Sequence, residues 1–111
     1  MTGMDSARIK AQVREGLAEG LNTSAERVRA VAVPLTPEEI GDLRSSLTVV
    51  PATEGDLRSA VVSDLPYAVR QHEDLSLYHD NGQAKYLESA ALESRDDIAD
   101  IMRTAVARKL G

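Results

Sequence analysis

The chain has 111 residues, 42% of them hydrophobic but only 3% aromatic, no cysteine, tryptophan or phenylalanine, and a formal net charge of −5. That length is one domain, and a domain of that size buries only about two-thirds of the surface its unfolded chain exposes. The absence of cysteine removes disulfides, thiolate nucleophiles and thiolate zinc sites together. With no such staple, subunit contacts are the expected source of extra stability.

The charge is unevenly spread. Residues 34–93 hold eleven acidic against four basic residues, a net −7, while the flanking segments are each close to +1. No clustered basic face marks a duplex-DNA reader, so sequence-specific DNA binding is not expected. The opening MTGMDSARIK lacks an apolar core of signal-peptide length, and apolar runs such as Val31–Pro34 are too short to span a bilayer. The expectation is a chain of cytosolic origin that does not enter the membrane.

In chain order, Ile9, Val13, Leu17, Leu21, Ala25, Val28 and Ala32 recur at spacings of four and three, predicting a helical region over 4–33. Gly16 and Gly20 each cost about 1 kcal/mol relative to alanine inside a helix, and Thr23-x-x-Glu26 offers a capping box. A kink or break near Asn22 is therefore expected, with the glycines read as tolerated rather than as a contact surface. Pro34 ends this region. Thr36-Pro37-Glu38-Glu39 then supplies an N-cap, a first-turn proline and a carboxylate for a short helix from Pro37 to about Ser45.

Leu47–Ala52 and Leu57–Leu65 are β-branched-rich runs around Thr53-Glu54-Gly55-Asp56, a turn composition whose glycine is free to take positive φ. They predict a hairpin in which Pro51 either marks an edge strand or closes the first strand. Leu57, Ser59, Val61, Ser63 and Leu65 alternate with Arg58, Ala60, Val62 and Asp64, and either set can face inward. Tyr67–Glu73 reads as a short helix, Leu75–Tyr78 as a third strand, and Asp80-Asn81-Gly82 as a turn. Gln83–Glu88 fits an extended segment or a helix start equally. Ser94-Arg95-Asp96-Asp97 matches a capping box for a last helix over 94–109 carrying Ile98, Ile101 and Ala105 on one side and Arg103, Arg108 and Lys109 towards its end. The expected fold is α+β: one domain, 1–111, with a long N-terminal helix and a C-terminal helix packed on a small antiparallel sheet of three to four strands within 47–88.

Leu65–Ala90 contains all three tyrosines and both histidines. His72, Glu73 and His79 hold the ingredients of a metal site without H-E-x-x-H spacing, so a metal is not expected. Ser76 and Ser89 lack the glycine-flanked elbow of a nucleophile, which leaves a hydrolase a remote third reading, and no cofactor motif appears. Asp96, Asp97 and Asp100 fit a helix start favoured by the dipole better than a cation site. Tyrosines are amphipathic anchors at interfaces. Tyr78, beside His79 and Asp80, fits a contact residue; Tyr67 and Tyr86, flanked by apolar residues, fit core packing or contact.

The order VPLTPEEIGDLRSSLTV, LPYAVRQHE and GQAKYLESAALES followed by an amphipathic helix resembles the minor-capsid and tail-completion (head–tail connector) proteins of long-tailed bacteriophages over about residues 25–111. The matching elements are Val33-Pro34, Gly41-Asp42-Leu43-Arg44-Ser45-Ser46-Leu47, Tyr67-Ala68 with His72-Glu73, and Gly82-Gln83-Ala84-Lys85-Tyr86-Leu87-Glu88. Thr36–Gly41 departs from that family's shorter loop of the type Val-Asp-Thr-Gly. The resemblance implies a non-enzymatic virion protein of the phage neck, an oligomeric ring joining head-connector and tail proteins, assembled in the bacterial host cytoplasm. DNA would pass through its lumen without sequence-specific binding, and part of the acidic excess would line that channel. Tyr67, His72, Glu73, Tyr78, His79, Lys85 and Tyr86 are the expected contact residues. The rival expectation is a small cytosolic partner-binding or regulatory module that dimerises through its long helix.

Overall fold

A computed structural model of the chain describes residues 3–36, 46–63 and 82–111. Helix α1 runs unbroken from Gly3 to Leu35, strands β1 (Leu47–Val50) and β2 (Ala60–Ser63) follow, and helices α2 (Gly82–Glu93) and α3 (Arg95–Leu110) complete the described chain. The molecule measures 59 × 26 × 22 Å with a radius of gyration of 17.3 Å, against about 13 Å for a globule of this length. A 33-residue helix rising about 1.5 Å per residue dictates that elongation.

The apolar recurrence in α1 is not one stripe. Steps of four residues overshoot a full turn by about 40° each, so the series from Ile9 to Ala25 winds around the helix. Three faces result. Gly16 and Gly20 meet α3, Leu21 and Val28 border a groove shared with β2, α2 and α3, and Ala18, Asn22, Ala25 and Arg29 lie on the side of the hairpin.

The expected break near Asn22 does not occur, because a neighbour fills the space the glycines leave. A Cβ on Gly16 would lie 2.8 Å from Val106 Cα, and one on Gly20 would lie 2.7 Å from Met102 Sδ and 3.3 Å from Ala105 Cβ. The glycines are therefore a contact surface, and dispersion attraction between the closely packed helices offsets their poor helix propensity. Thr23 sits mid-helix and caps nothing. Pro34 falls inside the last turn, where only one intrahelical hydrogen bond is lost, and the helix runs on to Leu35. Thr36 closes that end: its Oγ1 donates to Ala32 O at 2.9 Å and its N–H to Val33 O at 3.2 Å.

The hairpin forms as its turn composition predicts. β1 and β2 are antiparallel with Leu47 opposite Ser63 and Val49 opposite Val61. Thr53 and Asp56 exchange both main-chain hydrogen bonds across the turn, and Asp56 N–H also donates to Thr53 Oγ1. Pro51 stands immediately after β1. Register settles the inward set: Leu47 is buried and Val49 and Val61 half-buried, while Thr48, Val50, Ala60 and Val62 face out. Gly55 needs no positive φ, which among the described glycines only Gly111 adopts. The sheet has two strands among the described residues, fewer than the three to four expected. The expected helices at Pro37–Ser45 and Tyr67–Glu73, the strand at Leu75–Tyr78 and residues 80–81 of the expected turn lie outside them. Gln83–Glu88, open between two states in sequence, is helical.

The last helix forms with almost the predicted bounds, but its capping box does not. Ser94 has helical φ −89° and ψ −1° and makes no side-chain cap. The reason is that the chain arrives already helical: Ser94 N–H donates to Ala90 O at 3.0 Å, and Ile98 N–H to Ser94 O at 2.8 Å. The main chain passes through Ser94 in helical form, and the hydroxyl takes no part in it. Ser94 Oγ is instead buried without a partner. Helices α2 and α3 thus form one nearly continuous antiparallel companion to α1.

Among the described residues, five of the seven buried apolar ones are alanines, Ala18, Ala25, Ala32, Ala52 and Ala90. Leu47, Tyr86, Ala32 and Ala90 form the main cluster, with Val28, Val31 and Leu87 packed against it. None of the residues of α3 is buried. Replacing Ser94 by alanine removes a hydroxyl that is buried and unpaired, so the variant should be more stable by roughly 1 kcal/mol. An N-cap would respond in the opposite sense, losing about 1 kcal/mol; urea unfolding distinguishes the two.

Candidate interaction surfaces

The hairpin is fastened to α1 through its main chain as well as through Leu47, in the core cluster with Ala32, and Val61, packed against that cluster with Val28. Asn22 Nδ2 donates to Ala52 O at 3.1 Å while Asn22 Oδ1 accepts from Ala52 N–H at 2.6 Å, so one amide pairs both backbone groups of a buried residue as a neighbouring strand would. Arg29 Nε donates to Leu47 O at 2.6 Å, and Arg14 donates to Glu54 O from Nε and Nη2 at 2.9 and 2.7 Å. Ser59 Oγ donates to Leu21 O at 3.0 Å. Arg14, Asn22 and Arg29 share one side of the helix with Ala18 and Ala25, whose small size lets the hairpin come close enough to be held this way. Sequence patterning missed these anchors because it followed apolar residues only. The signal was present as a polar series at helical spacing.

Charged pairs set the register of α1 against α3. Arg27 and Asp97 meet at 3.0 Å, and Lys109 reaches Glu15 and Glu19, each at 3.2 Å. Hydrogen bonds to Glu15 and then Glu19 hold the Lys109 ammonium above its usual value of 10.5, so their stabilisation is fully present below that pH and is lost as pH rises through the raised value. These exposed pairs are worth little individually, and they select alignment more than they add stability. Asp56 similarly raises the already high value of Arg58. Asp100 pairs with Arg103 on its own helix at 3.1 Å, as its place in the acidic first turns suggests.

With the hairpin and α3 in place, apolar surface remains open in several places among the described residues. The outer face of the hairpin presents Val50 and Val62. A groove of about 310 Å³ runs between Leu21, Val28, Val61, Leu87 and Ile98, with Ser24 among its lining residues. Beside the α1–α3 seam, Met102, Arg103, Val106, Ala107 and Leu110 of α3 line a shallow hollow of about 440 Å³. Leu92 on α2 is 61% exposed, more than any other large apolar side chain described.

Of the contact residues expected from sequence, Tyr67, His72, Glu73, Tyr78 and His79 lie outside the described residues. Lys85 falls in the first turn of α2. Tyr86, for which core packing and contact were both open, is 7% exposed and belongs to the core cluster with Leu47 and Ala32. Among the described residues no group of three or more His, Cys, Asp or Glu is placed to hold a metal ion, and no helix is long and apolar enough to cross a membrane.

Compared with family models, with curated proteins and with solved structures, the chain matches none of them.

The Asn22 clamp yields a direct test. Asn22→Ala leaves the N–H and C=O of Ala52 without their partner, and each unsatisfied buried group costs about 1–3 kcal/mol. Denaturant unfolding should show a loss of roughly 2 kcal/mol or more. A loss within about 0.5 kcal/mol, typical of a featureless surface position, would mean that the amide does not hold the hairpin.

Proposed function

We propose that this chain is a structural subunit of the neck of a long-tailed bacteriophage, one copy in an oligomeric ring that joins the head connector to the tail. It works by binding, without catalysis or cofactor, in a particle assembled in the host cytoplasm. The sequence elements from Val33-Pro34 to Gly82–Glu88 suggest this class. The observation that carries the reading is a physical one: among the described residues the buried apolar side chains are chiefly alanines, beside apolar side chains left open on every described element.

Burying a large aliphatic side chain stabilises by about 1.5–3 kcal/mol, and an alanine by much less. A described core with Leu47 and Tyr86 as its only large buried members leaves a thin margin, which contacts between subunits would widen. Leu35, Val50, Leu92 and Leu110 are the side chains available for that purpose. Such a subunit is stable in its assembly and marginal outside it. A ring contact of this kind needs to bury at least about 1,000 Å². The net −7 of residues 34–93 suits a lumen through which DNA slides, because like charge opposes adhesion. Glu54 and Asp56, exposed at the hairpin turn, are candidates to line it.

Purified particles of the phage that encodes the chain should contain it, and a deletion should yield filled heads and separate tails that do not join, restored by supplying the chain in trans. Within restored particles, Glu54→Lys with Asp56→Lys should slow DNA ejection. Particles that lack the chain and assemble normally without it would refute the reading. They would favour the dimeric regulatory module instead.

A further inference from the structure

We propose that Met102 is a redox-sensitive latch on the α1–α3 seam: hydrogen peroxide reaches its thioether in the folded chain, converts it to the sulfoxide and loosens the contact between the two helices. The proposal stands on the seam itself and does not depend on the ring reading.

Two observations meet in one side chain. Met102 Sδ occupies the space that Gly20 leaves, 2.7 Å from where a Cβ would stand and nearer to it than Met102 Cα at 3.3 Å. The same side chain is only half-buried and lines the hollow of about 440 Å³ with Val106, Ala107 and Leu110. Water takes up about 30 Å³ in the liquid, and hydrogen peroxide is larger by a single oxygen atom, so the hollow admits it. The side chain that fills the seam is thus within reach of a small dissolved oxidant.

The chain has no cysteine, so no thiolate of its own competes for the oxidant and methionine is the reactive sulfur present. A sulfur lone pair displaces hydroxide from the peroxide: the O–O bond breaks as an S–O bond forms, and the departing hydroxide takes the proton of the transferred oxygen. Thioether and peroxide become sulfoxide and water, the sulfur giving up two electrons to the peroxide oxygens.

The product does not suit the place. A sulfoxide oxygen is a hydrogen-bond acceptor, whereas the seam surrounds it with Gly16, Gly20, Ala105 and Val106, whose N–H groups lie in the interior of α1 and α3 and serve those helices. Burying it there without a donor is unfavourable, so the oxidised side chain turns out into the hollow. The space over Gly20 is then left empty, and a void between packed helices forfeits the dispersion contacts that held them. Gly20 is what makes the seam sensitive, because a residue with its own side chain would leave less space to vacate.

Wild type, Met102→Leu and Gly20→Ala test this as full chains, each treated with hydrogen peroxide, melted under circular dichroism and digested with trypsin. The digest releases Met102 in the peptide 96–103 and Met1 with Met4 in the peptide 1–8. Oxidation of Met102 in the folded wild type should lower the melting temperature by roughly 5 °C or more, and methionine sulfoxide reductases for the two epimers should restore it. Met102→Leu keeps the volume and should melt alike before and after peroxide, which separates Met102 from Met1 and Met4. In Gly20→Ala the added methyl already takes the space, so oxidation should lower the melting temperature distinctly less than in wild type; this comparison decides alone should Met102→Leu not fold. A folded wild type whose Met102 resists peroxide that oxidises the free 96–103 peptide, or that melts unchanged with Met102 oxidised, would overturn the proposal. So would a fall of wild-type size in either variant.

Discussion

The approach of α1 to α3 at Gly16 and Gly20 is the constraint from which the rest of the architecture follows. Two helices ordinarily stand 8–10 Å apart, separated by their side chains. Here the position of an absent Gly16 side chain lies 2.8 Å from the backbone of Val106, so main chain rests on main chain. That proximity fixes an antiparallel alignment, which Arg27–Asp97 and the Lys109 pairs hold at either end of the contact. It also accounts for the absence of a buried side chain in α3. Helices this close have no space between them for a layer of leucines, and their contact is made by glycine, alanine and the sides of longer residues.

A long helix committed on one face to α3 must place its remaining partners around the other faces. The hairpin takes one of them, held by Arg14, Asn22 and Arg29 through its carbonyl and amide groups. Tyr86 and Leu47 fill the gap where hairpin, α1 and α2 meet. Among the described residues the result is a rod with several narrow seams and no broad interior. Polar anchoring of a hairpin to a helix gives orientation more than energy, because a hydrogen bond formed on folding replaces one to water. Leu92 and Leu110 are left open on the outer elements.

Elements that depend on local chemistry were legible in the sequence. The turn at Thr53–Asp56, the end of β1 at Pro51 and the amphipathic α3 follow from residues within a few positions of one another. Features that depend on distant partners were not. Gly16, Gly20 and Asn22 suggest a broken helix when read locally, because what compensates for them, Val106, Met102 and Ala52, lies 30 to 90 positions away in the chain. Ser94 has the residues of a cap and lacks the role, since the preceding helix brings it in with helical backbone angles and its N–H already bonded to Ala90 O. The side on which β2 is buried also depended on a neighbour, and only the pairing of Val49 with Val61 decides it. Surfaces follow the same division: acidic and basic residues could be counted, whereas the exposure of Leu92 and the hollow beside α3 exist only once the helices are placed.

The most direct test of the central constraint is the thermal stability of Gly16→Ala beside Gly20→Ala. Alanine improves intrinsic helix propensity by about 1 kcal/mol at either position, so an ordinary exposed glycine would give a more stable protein. At Gly16 the added methyl meets backbone that cannot yield, and overpacking of this kind costs about 1–3 kcal/mol. At Gly20 it first meets the flexible end of Met102, which can turn aside. Backbone contact between α1 and α3 predicts a lower melting temperature for Gly16→Ala and a distinctly smaller change for Gly20→Ala; a rise in melting temperature for Gly16→Ala would show that the two helices do not touch as described.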